Sequence, residues 1–158
     1  MRKLRIAASV ALLAAIVIPS AASAAWPVAT RSSYVTTWYS SSHPAIDIAA
    51  PSGTHVVPIG NGTVIFAGWK ANCGGYQVWI RNHDVYSAYY HLSRVLVHAG
   101  QVVTGQVTVI GLVGSTGCAT GPHTHVEVWT RWPWASGSHR VNPWPYIDKG
   151  WYVPVRYL

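Results

Sequence analysis

Two short segments carry side chains suited to a divalent metal ion: His43-Pro44-Ala45-Ile46-Asp47 and, much later, Gly121-Pro122-His123-Thr124-His125-Val126-Glu127. In an extended strand, residues two or four apart share a face. His123 and His125 therefore point the same way, and so do His43 and Asp47 if their segment is extended. Imidazole nitrogen and carboxylate oxygen are good zinc ligands, and a hydrolytic zinc site uses three protein ligands with water in the fourth position. Four donors for three places leave one histidine for acid–base chemistry. Glu127 shares the strand face of His125, where it either orients an imidazole or is an ordinary surface carboxylate.

Positioning these groups requires strands, and strands are what the pattern offers. From Tyr34 onward, short β-branched and aromatic runs alternate with Gly, Pro and Asn. The expected strands are Ile46 to Ala49, Gly62 to Gly68, Gln77 to Asn82, Tyr86 to His91, Val107 to Val113 and His125 to Thr130. Turn signals stand at Pro51-Ser52-Gly53, Gly60-Asn61-Gly62 and Cys73-Gly74-Gly75. No window has a helical period, so an all-β domain is expected. Ala25 to Ser42 reads as a Ser/Thr-rich extended lead-in, and the Trp- and Pro-rich tail from Arg131 wraps the sheet. Gly111, Gly114, Gly117 and Gly121 suit tight turns and close backbone approach of a peptide. Most of the aromatics suit core and cross-strand packing.

The 158 residues fit one domain. Arg2, Lys3 and Arg5, an apolar run from Ile6 to Ile18, and Ala22-Ser23-Ala24 have the form of a signal peptide cleaved after Ala24, with Ala25 as the close alternative. The apolar run is shorter than the roughly 20 residues that span a bilayer. Losing three basic residues lowers the formal charge from +7 to +4. That modest positive charge favours an anionic partner, as bacterial cell wall would be, yet the remaining Lys and Arg are scattered without a run and leave no nucleic-acid footprint. Cys73 and Cys118 are the only cysteines, and in an exported chain they are expected to be bridged. Closing their loop stabilises by about 4 kcal/mol in the chain-entropy model. They lack the close spacing of thiolate zinc sites.

Taken in order, four groups of residues resemble the lysostaphin-type, LytM-like zinc endopeptidases, which cut peptides in bacterial peptidoglycan. They are His43-x-x-x-Asp47 with Ile48-Ala49-Ala50-Pro51 and Gly53-Thr54; Tyr89-Tyr90-His91-Leu92-Ser93; Gly100-Gln101-Val102-Val103-x-Gly105-Gln106; and Gly114 through Glu127. The resemblance runs from about Thr36 to Ile147. It implies an antiparallel β domain of lysostaphin-like architecture with one zinc ion per chain. His43, Asp47 and His125 would be the ligands, and His123 and His91 the catalytic histidines. Zinc lowers the pKa of bound water from 15.7 to about 7 and polarises a carbonyl. This chain has Ala45 where relatives commonly have glycine and Thr124 where they commonly have leucine, with Thr124 expected to face away from the metal. It matches poorly over Thr37 to Ser42, where Tyr39 is the candidate for an added side chain at the site. His55, His83, His98 and His139 have no partner at ligand spacing and read as surface residues.

The expected organisation is a signal peptide over 1–24, a lead-in over 25–35 and a zinc metallopeptidase domain over 36–158. The expected protein is a secreted or cell-envelope peptidoglycan endopeptidase, monomeric and without membrane insertion after cleavage. A non-catalytic relative that binds peptidoglycan or activates another hydrolase is the alternative. A secreted β module binding metal adventitiously is the third reading. The filled ligand positions argue against the non-catalytic relative, and the four motifs in order argue against the adventitious module.

Overall fold

The computed structural model describes residues 26–147; the signal segment with its cleavage point, and Trp151 of the tail, lie outside the described residues. Among the described residues the fold is strands plus one 3-10 turn, Trp144–Tyr146. The main sheet contains β1 (Tyr34–Thr37), β2 (Ile46–Ala49), β4 (Gly62–Lys70), β5 (Gly75–Arg81), β6 (Tyr86–Leu92), β8 (Val102–Val103), β10 (His123–Trp129) and β11 (Arg140–Val141). Its order is β1-β2-β10-β6-β5-β4-β8, with β11 also pairing with β10. A second sheet of β3 (His55–Val56), β9 (Gly111–Leu112) and β7 (Arg94–Val95) has the order β3-β9-β7. Every pairing is antiparallel.

The period of two divides the main sheet into two working faces. Ile46 and Ile48 of β2, Val126 and Val128 of β10, Tyr89 of β6, Val78 and Ile80 of β5 and Val64 of β4 enter one core with Val56, Ile110 and Val113. Burying each aliphatic side chain contributes roughly 1.5–3 kcal/mol. The intervening residues, Asp47, His123, His125 and Glu127, therefore stand on the opposite face. There Trp79, Ala88, Tyr90 and Trp129 form a separate buried aromatic cluster.

Several expectations change at the margins. Val107 to Val113 is not one strand: only Gly111 and Leu112 pair, and Gly105–Val107 turns. Thr104 N donates to Thr108 Oγ1 at 2.9 Å, and Gln106 takes a positive φ of 64°, so a local turn overrides β propensity. The lead-in is built into the domain. Trp26 and Val28 are core residues, and Tyr34–Thr37 is a strand on β2. Tyr39 packs against the core and its hydroxyl donates to the Arg140 carbonyl at 3.4 Å. The tail supplies β11 and buries Ile147, but Trp132 and Trp134 stand out in solvent at 48% and 57% exposure. Ala45 is fully buried and outside the positive-φ region, so its Cβ is accommodated without strain.

Thr124 faces the core, as its place between two outward histidines requires, and its buried hydroxyl has no hydrogen-bond partner among the described residues. A buried unsatisfied polar group costs about 1–3 kcal/mol. Thr124→Val is therefore expected to raise the free energy of unfolding by about 1 kcal/mol, read from the denaturant midpoint at unchanged slope. A lower midpoint would mean that the hydroxyl has a partner in solution.

Candidate metal centre

Strand register assembles the site. β10 lies between β2 and β6, with His125 opposite Asp47 on one side and Tyr90 on the other. Directly opposed residues share a face at roughly 5 Å, so Asp47 and His125 meet through the pairing itself, while His43 is brought in by the turn before β2, where Ala45 N donates to the His43 carbonyl at 2.8 Å. His43 sits four residues before Asp47, at the mouth of β2. One oxygen, Asp47 Oδ1, lies 2.8 Å from His125 Nδ1, 3.3 Å from His43 Nε2 and 3.9 Å from His123 Nε2. The His91 and His123 rings are 4.8 Å apart, and the His91 ring is 5.8 Å from that of His125. All five residues named from the sequence thus gather at one place, whereas His55, His83, His98 and His139 are exposed elsewhere.

The donors of His43, Asp47 and His125 lie within 4.8 Å of one another and could hold a metal ion. The state of His43 supports that fit. Its Nε2 is buried and makes no hydrogen bond among the described residues; Asp47 is near in distance but not aligned for one. A buried nitrogen without a partner is unfavourable unless a ligand takes its lone pair. Two imidazole nitrogens and one carboxylate oxygen form a donor set that zinc accepts.

Glu127 is 3% exposed and is no surface carboxylate. It accepts from Tyr90 Oη at 2.5 Å, Trp129 Nε1 at 2.8 Å and Arg140 Nη1 at 2.9 Å, and faces His125 Nε2 at 3.4 Å. A carboxylate on Nε2 is what a metal-ligating imidazole needs if Nδ1 is to face the ion. Burial would raise the Glu127 pKa, but hydrogen bonds from His125, Tyr90 and Arg140 hold it below the usual carboxylate range. The same carboxylate, together with burial, pushes the Tyr90 phenol far up, keeping it a donor. Arg140 and Trp129 were not identified from sequence. Trp129 is two residues beyond Glu127 on the same face, a signal in plain view, but Arg140 arrives by the β10–β11 pairing and has no local signature.

The mutual electrostatics of these side chains also bind them into one cluster. Burial opposes charging of His125, yet Asp47 and Glu127 outweigh it and raise its pKa to about 9. Burial likewise opposes ionisation of Asp47, and the surrounding histidines lower its pKa nevertheless. In that state His125 donates from both nitrogens, and a bound metal replaces the Nδ1 proton. His91 is shifted down by burial, which keeps it neutral near physiological pH.

Residues 41–143 match the model of peptidase family M23, and the chain belongs to that family. It is 35% identical over 113 residues to lysostaphin of Staphylococcus staphylolyticus, covering 70% of this chain and 23% of that protein. It is 41% identical over 90 residues to the peptidoglycan DD-endopeptidase ShyA of Vibrio cholerae, covering 56% and 20%. The chain thus spans about a fifth of the length of these curated relatives. Among solved structures, the catalytic domain of lysostaphin from Staphylococcus simulans superposes with a TM-score of 0.59 at 34% identity, over 66% of this chain and 77% of that one. A zinc-containing peptidase from Vibrio cholerae gives a TM-score of 0.62 at 31% identity, over 68% and 36%.

A raised His125 pKa links stability to pH. The contribution is complete below the ordinary histidine value of 6.5 and is lost as pH rises through about 9. Metal-stripped protein is therefore expected to melt at progressively lower temperature across that interval, and His125→Asn should flatten the profile. An equally steep decline in His125→Asn would locate the effect elsewhere.

Proposed function

We propose that this protein is an exported, monomeric zinc metalloendopeptidase that hydrolyses stem or bridge peptides of bacterial peptidoglycan. The observation that carries the reading is the gathering of three imidazole nitrogens within 4 Å of Asp47 Oδ1, two of them on a strand hydrogen-bonded to that of Asp47. A relative that had lost catalysis would be missing donors, and none is missing here. The Cys73–Cys118 disulfide suits an oxidising compartment and therefore export through the 1–24 segment.

In this reading His43, Asp47 and His125 hold the zinc, and Glu127 orients His125 from behind. When bound, zinc acts as a Lewis acid on the scissile carbonyl and makes its water a nucleophile at neutral pH. His123 and His91 are the acid–base pair. Each has Nδ1 2.8 Å from a backbone carbonyl, of Gly121 and Thr116 respectively. A carbonyl only accepts, so the ring proton sits on Nδ1 and Nε2 keeps the lone pair that can take a proton and return it to the departing amine. The acidic groups of stem peptides suit the modest positive charge left after signal removal.

Purified mature protein is expected to solubilise peptidoglycan and release new amino termini without new reducing sugar ends. Activity should stop on chelation and return with zinc. Asp47→Ala and His125→Ala should hold well under one zinc per chain. His123→Ala should keep its zinc and lose activity by about 10²- to 10⁴-fold. Equal zinc loss in all three variants would contradict the assignment of roles, and zinc-loaded protein that releases no amines from walls of several chemistries would contradict the function.

A further inference from the structure

We infer that the Cys73–Cys118 disulfide is a positioning element of the acid–base pair: it staples the loop whose carbonyls set the ring orientation and tautomer of His91 and His123. The inference rests on the catalytic roles proposed above for those two histidines and concerns what holds them.

The segment joining β9 to β10 touches both rings, through Thr116 O and Gly121 O. Among the described residues neither ring hydrogen-bonds to a side-chain acceptor, so the two tautomers are only as well defined as the path of this loop. The loop is fastened to the β4–β5 turn by the disulfide, by Cys118 N donating to Cys73 O at 2.8 Å and by Tyr76 N donating to Thr116 Oγ1 at 3.1 Å. Two glycines make the approach possible. A Cβ on Gly75, at φ +63°, would stand 2.6 Å from Thr116 C, and one on Gly117, at φ +73°, would stand 2.6 Å from Gly75 N. Gly117 thus serves contact within the chain, whereas a Cβ on Gly121 would meet open space.

The same turn also grips His91 from the other side. His91 N donates to Gly74 O at 2.9 Å, and His91 is held at φ +63°, an uncommon conformation for a residue with a Cβ. Such backbone persists where its surroundings over-determine it. A closed circuit results: Cys73 and Gly74 to the His91 backbone, the His91 ring to Thr116, and Cys118 back to Cys73. The three metal donors lie outside it, on β10 and on the chain around the start of β2. Opening the circuit should therefore release the His91 ring and loosen the Gly121 carbonyl that orients the His123 ring, while β10 and the metal donors stay in place.

The test compares wild type with Cys73→Ser/Cys118→Ser and, as a variant that keeps the bridge but crowds the contact, Gly117→Ala. All are full mature proteins assayed on soluble muropeptides well below their melting temperatures. Zinc content is expected to remain one per chain and KM within about two-fold, while kcat falls by about 10- to 100-fold, the scale of a 1 Å misplacement. Imidazole ¹⁵N chemical shifts should report His91 and His123 as Nδ1–H tautomers in wild type and as mixtures in the variants. That readout stands even if wild type cleaves nothing, which would defeat the functional reading alone. Unchanged kcat and unchanged tautomers without the bridge would reduce the disulfide to a stabiliser and overturn the inference, as would zinc loss in step with activity.

Discussion

The antiparallel register between β2 and β10 is the constraint on which the rest depends. His125 pairs with Asp47 and Thr124 with Ile48, so the two strands agree on which residues face the core and which face the metal donors. A slip of one residue would send His123 and His125 into the hydrophobic core and bring Thr124 and Val126 to the site. The apolar side of the same strands prevents this, because Ile46, Ile48, Val126 and Val128 are all fully buried. Core packing and ligand geometry are two faces of one pairing, and neither can change without the other.

Placing charged groups on a sheet face lined by Trp79, Tyr90 and Trp129 has a cost that the structure meets with donors. Glu127 is enclosed by an indole, a phenol, a guanidinium and an imidazole. Removing one partner from a buried charged group costs about 3–5 kcal/mol, so this second row of residues is as constrained as the donors in front of it. Arg140 is fixed in turn by its position over the Trp129 and Trp134 rings, 5.3 and 5.6 Å from their centroids. Support for the site thus runs from β10 through β11 into the tail. On its other flank it runs through the loop stapled to the β4–β5 turn.

Much of this was readable before any coordinates. The His123–His125 spacing is a strand periodicity, and the strand at Ile46–Ala49 lies where its alternation places it, but His43 sits in a turn before that strand and reaches the site by another route than the extended spacing suggested. Sequence was silent where structure is made by neighbours distant along the chain. Tyr34–Thr37 has strand-favouring residues, but its Ser/Thr-rich surroundings read as a lead-in, and pairing with β2 is what makes it a strand. Val107 looks like strand and is 73% exposed in a turn. Thr116 and Gly121 act through their carbonyls, which carry no residue-type signature, although left-handed Gly117 next to Thr116 marks an unusual path. Arg140 gave no sign because its role exists only once β11 has paired.

Anomalous diffraction at the zinc edge from zinc-soaked crystals tests the central claim most directly. A single peak is expected within bonding distance, about 2.0–2.2 Å, of His43 Nε2, an Asp47 oxygen and His125 Nδ1, with His91 and His123 unligated beside it. A peak coordinated by His123 or His91 in place of one of those three donors, or no peak on this sheet face, would contradict it.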